Sequence, residues 1–372
     1  MKQKIGIITR HCYPNYGSIL QAYALENAFK QLGADPEVID YVNPSDTPLG
    51  LVAANLRISS MGRSWWKRAI YQLVQTPTFL SMGLTFRRHQ KRLLTLTHSA
   101  RGASQLKQVC SSFHMVVAGS DQIWNRITSE IDTNYFLPFL EDEKKRASYA
   151  ASLGSTKPLD EDIAKVLSSV GQFSHVSVRE PSSADWLNSH GIDARSDVDP
   201  VLLHNKEFWS TFAGRSRSKS PYILVYQLHN TKQFRHRLAE VEARYGLPVI
   251  RITPDWKHIA RHGRTKILVS PESFVAWIRD AACVVTDSFH GTAFSLRLGT
   301  PLYVIPPGKY STRLLDVVAR VGLERLVVPA DISTPITEPP DYDVELVHTA
   351  LDAQADRSRE YLRQLIETGT RN

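Results

Sequence analysis

The sequence predicts an α/β protein built as two parallel-sheet domains. Three observations carry that expectation. The chain has 372 residues, more than a single core usually serves. Short apolar runs alternate with helix-spaced stretches in both halves, the pattern of repeated β-α units. Between the halves, residues 204–220 (HNKEFWSTFAGRSRSKS) are polar, basic and Ser-rich and read as a linker. The expected organisation is a first domain at 1–203, a second at 221–340, and a tail at 341–372 whose long helix packs back on the first domain.

In the first half, KIGIIT at 4–9 reads as a buried strand and HCYPNYGS as the loop after it. Ile19, Ala22, Leu25, Phe29 and Leu32 recur at helical spacing, and Gly33 stops that helix. Residues 38–42 read as the next strand. Further strands are expected at 113–118, 146–151 and 173–179, with Pro181 opening the helix that follows. The second half repeats the alternation. Strands are expected at YILVYQL, LPVIRI, KILV, CVVTD and PLYVI, with helices at 232–245, 271–281, 290–298 and 311–320, and a final helix at 343–367.

Hydrophobic residues make up 42% and charged residues 22%, as in globular proteins. Cys12, Cys110 and Cys283 are far apart and form no CxxC, which argues against a disulfide framework or zinc site and fits a reducing cytoplasm. The N-terminal apolar run is too short for a signal peptide, and no stretch approaches the ~20 apolar residues of a membrane span. The net charge of +8 is unevenly placed: residues 47–120 contain no Asp or Glu but ten Lys and Arg. Trp65, Trp66, Tyr71, Leu73, Phe79, Leu84 and Phe86 are interleaved with them. Residues 47–107 thus read as a basic helical insertion, either with a merely solvated face or as a surface for an anionic membrane or lipid phosphate. No nucleic-acid motif accompanies it.

Chemistry-bearing residues gather at the expected carboxyl ends of strands, where open α/β sheets bind ligands. In the first half these are Asn15, Tyr16, Gly17, Ser18, Asp121, Gln122, Trp124, Asn125, Ser152 and Arg179. In the second they are Gln227, His229, Asp287, Ser288, His290 and Gly291. The segment TDSFHGTAFSLRLG is the most informative, because it sets an imidazole and a carboxylate beside a helix N-terminus, which attracts anions. Each residue also has a structural reading. Asn15-Tyr16-Gly17 fits a tight turn, Ser18 and Asp121 fit helix caps, Trp124 fits the core, Arg179-Glu180 fits a surface pair, and His290 fits a packed histidine. There is no GxGxxG after the first strand, no P-loop, no HExxH and no GxSxG. Neither a metal nor a redox cofactor is expected.

Seven segments resemble the polysaccharide pyruvyl transferase family, in family order: KIGIITRHCYPNYGSILQAYAL, VVAGSDQIWN, RASYAASLG, VSVRE, DVDPVLL, TDSFHGTAFSLRLGTPLYVI and STRLLDVVARVGL. The resemblance implies a glycosyltransferase-like GT-B arrangement, with two Rossmann-like domains facing a cleft. It implies transfer of a pyruvyl group from phosphoenolpyruvate, as co-substrate, to two hydroxyls of a sugar in a surface polysaccharide or its lipid-linked precursor. The product is a cyclic ketal. On the matching positions, Arg179 and His290 look like donor-binding and catalytic residues; the chemistry then suits His290 as the acid and Asp121 as the base or a hydroxyl acceptor, with Asp287 expected to orient His290. Arg179, Ser288 and Gly291 look like donor-binding residues. Some members carry an Arg where this chain has Ser288, so Arg313 or Lys309 is expected to supply that cation. Asn15, Tyr16, Gly17, Ser18, Gln122, Trp124 and Asn125 are the expected acceptor side, with Trp124 and Tyr16 stacking on a sugar face.

Two other readings stand beside this one: a nucleotide-sugar-dependent glycosyltransferase on the same architecture, and a non-catalytic sugar-binding protein that sits on membranes through its basic segment. The expected location is cytoplasmic, peripheral on the inner face of the membrane through residues 57–107.

Overall fold

A computed structural model describes residues 2–58, 65–126, 130–308, 312–329 and 331–368. The chain forms two compact units, residues 1–200 with 358–372, and residues 201–357.

The first unit starts with β1 (Lys4–Ile8), buried on both faces after Lys4, as a parallel-sheet strand must be. Helix α1 (Tyr16–Gln31) follows and is buried along most of its length. The chain then enters β2 (Asp35–Val38). This strand begins earlier than the apolar run at 38–42 implies, because Lys4 of β1 pairs with Asp35, while Val38 and Tyr41 bridge to Leu96 and Ala100 within the insertion.

The insertion is helical: α2 (Pro48–Ile58), α3 (Trp65–Leu93) and α4 (Ala103–Cys110). Helices α2 and α3 touch closely, since a Cβ on Gly83 would lie 2.6 Å from Pro48 Cγ. The second half of α3 is tied into the unit. Phe79, Met82 and Phe86 are buried, and the Phe86 ring lies 5.2 Å from that of Tyr16. Then come β3 (Met115–Ala118), β4 (Arg146–Ser148), α5 (Ile163–Val170), β5 (Val176–Val178), α6 (Pro181–Asn188) and β6 (Ala194–Ser196). The main sheet runs β2-β1-β3-β4, all parallel, and single bridges from Ala147 and Ala151 continue it toward the β5–β6 pair.

The second unit opens with α7 (Lys206–Ala213). This corrects the linker reading of 204–220. Asn205 caps the helix by accepting from Phe208 N, and Trp209 is fully buried with its ring 4.8 Å from Phe294. The burial of Trp209 and Ala213 on one face outweighs the polar composition of the stretch.

There follow β7 (Ile223–Tyr226), α8 (Lys232–Tyr245), β8 (Val249–Thr253), β9 (Arg264–Ile267), α9 (Pro271–Arg279), β10 (Cys283–Thr286), α10 (Phe289–Leu298), β11 (Leu302–Val304) and α11 (Thr312–Ala319). The sheet order is β11-β10-β7-β8-β9, all parallel. In α12 (Val344–Thr368), residues 344–357 belong to the second unit and 358–368 to the first. Within the first unit, Ser358 Oγ accepts from Val198 N at 3.2 Å and Tyr361 Oη donates to Ser148 O at 2.9 Å.

Both sheets reverse direction of growth once. In the first, the chain adds β2 on one side of β1 and β3 on the other; in the second, β8 and β9 lie on one side of β7 and β10 on the other. The crevice at the carboxyl ends of such neighbours is the usual ligand position in open α/β sheets. In this chain it falls at the loops after β1 and β3, and after β7 and β10. Among the described residues, no helix is long and apolar enough to cross a membrane.

Candidate functional site

In the first unit, the switch-point loops are stitched by side chains. Thr9 Oγ1 donates to Ser120 O at 2.7 Å and accepts from Gln21 Nε2 at 2.8 Å. Asn15 caps α1 by accepting from Gly17 N at 2.8 Å. Ser18 Oγ donates to Asp121 Oδ2 at 2.8 Å, while Asp121 Oδ1 accepts from Gln122 N at 2.8 Å. Asp121 sits at φ 78°, the left-handed region that costs a non-Gly residue free energy and is concentrated at functional positions. Asn125 Nδ2 donates to Gln122 Oε1 at 2.9 Å. Asn15, Ser18, Asp121, Gln122 and Asn125 therefore belong to one neighbourhood, with Gly17 in the first turn of α1.

Two expected acceptor residues do not fit the roles given them. Trp124 is fully buried, stacked 5.7 Å from Phe136 and edge-on to Phe173 at 5.4 Å, and its Nε1 donates to Tyr135 O. Tyr16 is fully buried against Phe86. Both are core aromatics, because neither has exposed surface to offer a sugar.

Arg179, just past β5, is also placed differently from expectation. It is 3% exposed; its Nη1 lies 2.9 Å from Asp199 Oδ2 and its Nε 3.1 Å from Glu180 Oε1. Ser152 Oγ donates to the same Glu180 oxygen at 2.8 Å. Burial works against the guanidinium, but Glu180, Asp199 and Asp121 outweigh it and hold its pKa above the usual arginine value. Arg179 thus neutralises carboxylates of its own unit and positions them, rather than offering an uncompensated charge to an anionic donor. Asp199, in DVDP, is the residue that the sequence left without a role, and the Arg179–Glu180 pair is buried rather than on the surface.

A second cluster lies beside β1. His11 is fully buried; Cys12 Sγ and Asp40 Oδ1 each lie 3.3 Å from its Nε2, and its Nδ1 is 3.2 Å from Thr9 O. Arg87 Nη1 donates to Asp40 Oδ1 at 2.7 Å. Burial alone would lower the His11 pKa; the charge of Cys12 and the hydrogen bond to Asp40 overcome it and raise it to about 10. Burial likewise works against Asp40, but His11 and Arg87 hold its carboxyl well below the usual range. The possible ligand atoms of His11, Cys12 and Asp40 lie within 4.8 Å of one another, a convergence that residues 29 apart in sequence do not reveal. Arg87 already occupies the carboxylate, so the cluster is organised around a guanidinium.

In the second unit, Thr286 Oγ1 donates to Tyr226 O at 2.7 Å and accepts from Ser288 N at 3.0 Å, which fixes the turn from β10 into α10. Ser288 is the N-cap and accepts from Gly291 N at 3.3 Å. A Cβ on Gly291 would stand 2.4 Å from Thr286 Oγ1, so only glycine lets the helix start this close to the strand. His290 is 8% exposed on this first turn, its ring perpendicular to that of Phe289. Asp287 does not serve His290. Its carboxylate accepts from Leu228 N at 2.6 Å and from His229 N at 2.7 Å, and lies 3.2 Å from His229 Nδ1. It ties the loop after β7 to β10 and orients His229 instead. Arg313 is half-buried on α11, and Lys309 lies outside the described residues.

The fold is that of the GT-B-like α/β enzymes. The UDP-GlcNAc 2-epimerase of Methanocaldococcus jannaschii superposes with a TM-score of 0.51 at 13% identity, over 97% of this chain and 99% of that one. The UDP-GlcNAc 2-epimerase of Neisseria meningitidis bound to UDP-GlcNAc gives 0.50 at 12% identity, over 100% of both chains. At such identities the likeness is one of fold alone. The family profile described as polysaccharide pyruvyl transferase matches residues 15–308, and the chain belongs to that family. No curated protein matches the sequence. The matched span includes Ser18, Asp121, Arg179, Asp287 and His290, and it leaves out His11, Cys12 and Arg313.

Proposed function

We propose that the protein transfers a pyruvyl group from phosphoenolpyruvate to two hydroxyls of a saccharide, giving a carboxylated cyclic ketal and phosphate. The observation that carries this reading is His290 in the first turn of α10, at the switch point of the second sheet and inside the family-matching span. The reaction needs a proton delivered to the methylene carbon, which becomes the methyl group. The first sugar hydroxyl bonds to the adjacent carbon and loses its proton. The C–O bond to phosphate breaks with its electron pair on phosphate, and the second hydroxyl closes the ring at the same carbon. One of the two hydroxyl protons balances the methyl group and the other leaves with phosphate.

His290 is proposed as the acid toward the methylene carbon. Ser288 and Gly291 form the helix start that favours the donor's negative charge, and Arg313 adds a cation from α11. Asp121, already an acceptor toward Ser18, is proposed to take a hydroxyl proton, with Asn15, Gln122 and Asn125 as acceptor contacts. Arg179 acts by positioning Asp199 and Glu180. No cofactor beyond the co-substrate is invoked. The His290→Ala variant is expected to keep its melting temperature and lose transfer about 100-fold or more, as general acid catalysts do. A folded variant with full transfer activity would remove His290 from the mechanism.

A lipid-linked acceptor at an anionic membrane extends this reading. Its support is α3, where Trp66, Leu73, Leu80 and Leu84 are exposed on one helical stripe that continues into Arg88 and Lys91.

A further inference from the structure

Gln227, the first residue beyond β7, connects the His229–Asp287 loop to a cavity in the same unit. Its Nε2 donates to His229 O at 2.7 Å, and its Oε1 accepts from Arg251 Nη1 at 2.8 Å and from Arg261 Nη1 at 3.3 Å. Arg251 stands in the middle of β8 between Ile250 and Ile252, where a central parallel strand ordinarily carries apolar side chains. It is 3% exposed, and its remaining contacts, at 3.4 and 3.3 Å, are both to the His262 carbonyl. Arg235, exposed on α8, donates to Asn230 Oδ1 at 2.8 Å. Among the described residues, none of the three arginines makes an ion pair. They line one cavity of about 510 Å³ together with Gln227 and Asn230, over a floor that includes Phe234.

Three carboxylates stand near, and each is engaged elsewhere: Glu242, which also lines the cavity, Asp287, and Asp255, whose Oδ2 lies 2.7 Å from Lys257 Nζ. Glu242 Oε1 is 2.7 Å from His262 Nε2, and Asp287 holds the Leu228 and His229 amides. A guanidinium buried against neutral oxygens alone is an expensive arrangement. Its surroundings register the excess positive charge. Burial, and then Arg261, bring Arg251 down to about 10, and Arg261 is lowered as well, chiefly by burial. His258, packed at Thr253, is pushed down to about 4 by burial and then by Arg261.

We propose that this cavity is a phosphate-binding site of the second unit: Arg251 and Arg261 grip a phosphoryl group, Arg235 closes the rim, and Gln227 links its occupancy to the His229–Asp287 loop. Guanidinium groups bind phosphate oxygens in parallel pairs, and several converging cations suit a dianion or diphosphate better than a single carboxylate. The volume accommodates a phosphate with a small organic group attached. The site stands on this geometry and does not depend on the transfer chemistry proposed above.

Isothermal titration of the full chain at low ionic strength tests it, using inorganic phosphate, phosphoenolpyruvate and UDP, with sodium chloride at matched ionic strength as the control. At least one phosphate probe is expected to bind saturably. Arg261→Gln, half-exposed and tolerant of replacement, is expected to weaken that binding about tenfold or more, as loss of a charge-assisted contact does. Arg235→Gln should weaken it less. Preference for phosphoenolpyruvate assigns the site to a three-carbon phosphate ester, preference for UDP to a nucleotide diphosphate, and equal binding of inorganic phosphate to the phosphoryl group alone. Absence of binding by all three probes, or binding unchanged in both variants, overturns the proposal. Loss of transfer activity in His290→Ala with phosphate binding intact would separate this site from the catalytic one.

Discussion

His11 shows how a single buried proton couples to stability. Its folded pKa of about 10 lies above the ordinary 6.5, so the folded protein keeps a proton that the unfolded chain releases. That stabilisation is complete below about pH 6.5, declines as pH rises, and is gone above about pH 10. Asp40 acts in the opposite sense: its lowered pKa stabilises above the ordinary carboxylate range and is lost on strong acidification. The melting temperature is therefore expected to fall more steeply between pH 7 and 10 in the native sequence than in His11→Gln; parallel curves would show that His11 holds no such proton. None of this was legible in the sequence, because the partners Cys12, Asp40 and Arg87 converge only in the fold. His290 was legible as a strand-end residue, since local spacing alone fixes that position; the cap reading of Ser18 is not met, because Asn15 is the N-cap of α1 and Ser18 Oγ donates to Asp121 instead. Trp124 was not: nothing in GSDQIWN distinguishes a ring packed on Phe136 and Phe173 from one open to a ligand. Arg251 did leave a trace, as the one charged residue inside LPVIRI, and the sequence reading passed over it.

At the scale of elements, β1, β3, β7, β8 and β10 were the most readable parts, because buried parallel strands are written as apolar runs, whereas the more polar β2 and β9 were shifted and β6 was missed. Helix α7 was misread because its polar surface dominates the composition while two buried positions, Trp209 and Ala213, decide its packing. Helix α3 combines both kinds of information. Its buried residues Phe79, Met82 and Phe86 anchor it, while Leu73 at 78% and Leu84 at 62% exposure lie on the opposite account of the same helix. If that exposed stripe and the basic residues after it meet an anionic bilayer, the full chain should co-sediment with vesicles containing anionic lipid at low salt and much less with neutral ones. Leu73→Gln with Leu84→Gln should weaken the association without lowering the melting temperature. Equal binding to neutral and anionic vesicles would count against the electrostatic part of this reading.

At the scale of the molecule, each unit has its own core, one around Trp124, Phe136 and Val178 and the other around Val225, Phe234 and Val285. The first unit is discontinuous in sequence, since it takes residues 358–372 after the whole of the second has intervened. Tyr361, Leu362 and Leu365 are 4%, 0% and 0% exposed, so their burial contributes roughly 5 kcal/mol or more. Removing the residues after Arg357 should speed hydrogen exchange at 146–151 and 194–199, next to Ser148, Arg195 and Val198, and leave β7, β8 and β10 protected; uniform protection throughout would mean that the segment adds little. During synthesis at the ribosome this imposes an order. The half that emerges first, bearing Ser18 and Asp121, must wait with an open seam until residues 358–368 have been made, whereas the half bearing His290 lacks nothing that is translated after Arg357. The later-born unit is free to mature first, and a chain interrupted between the two events would carry a finished His290 loop while Ser148 and Val198 still lack their partners from the final helix.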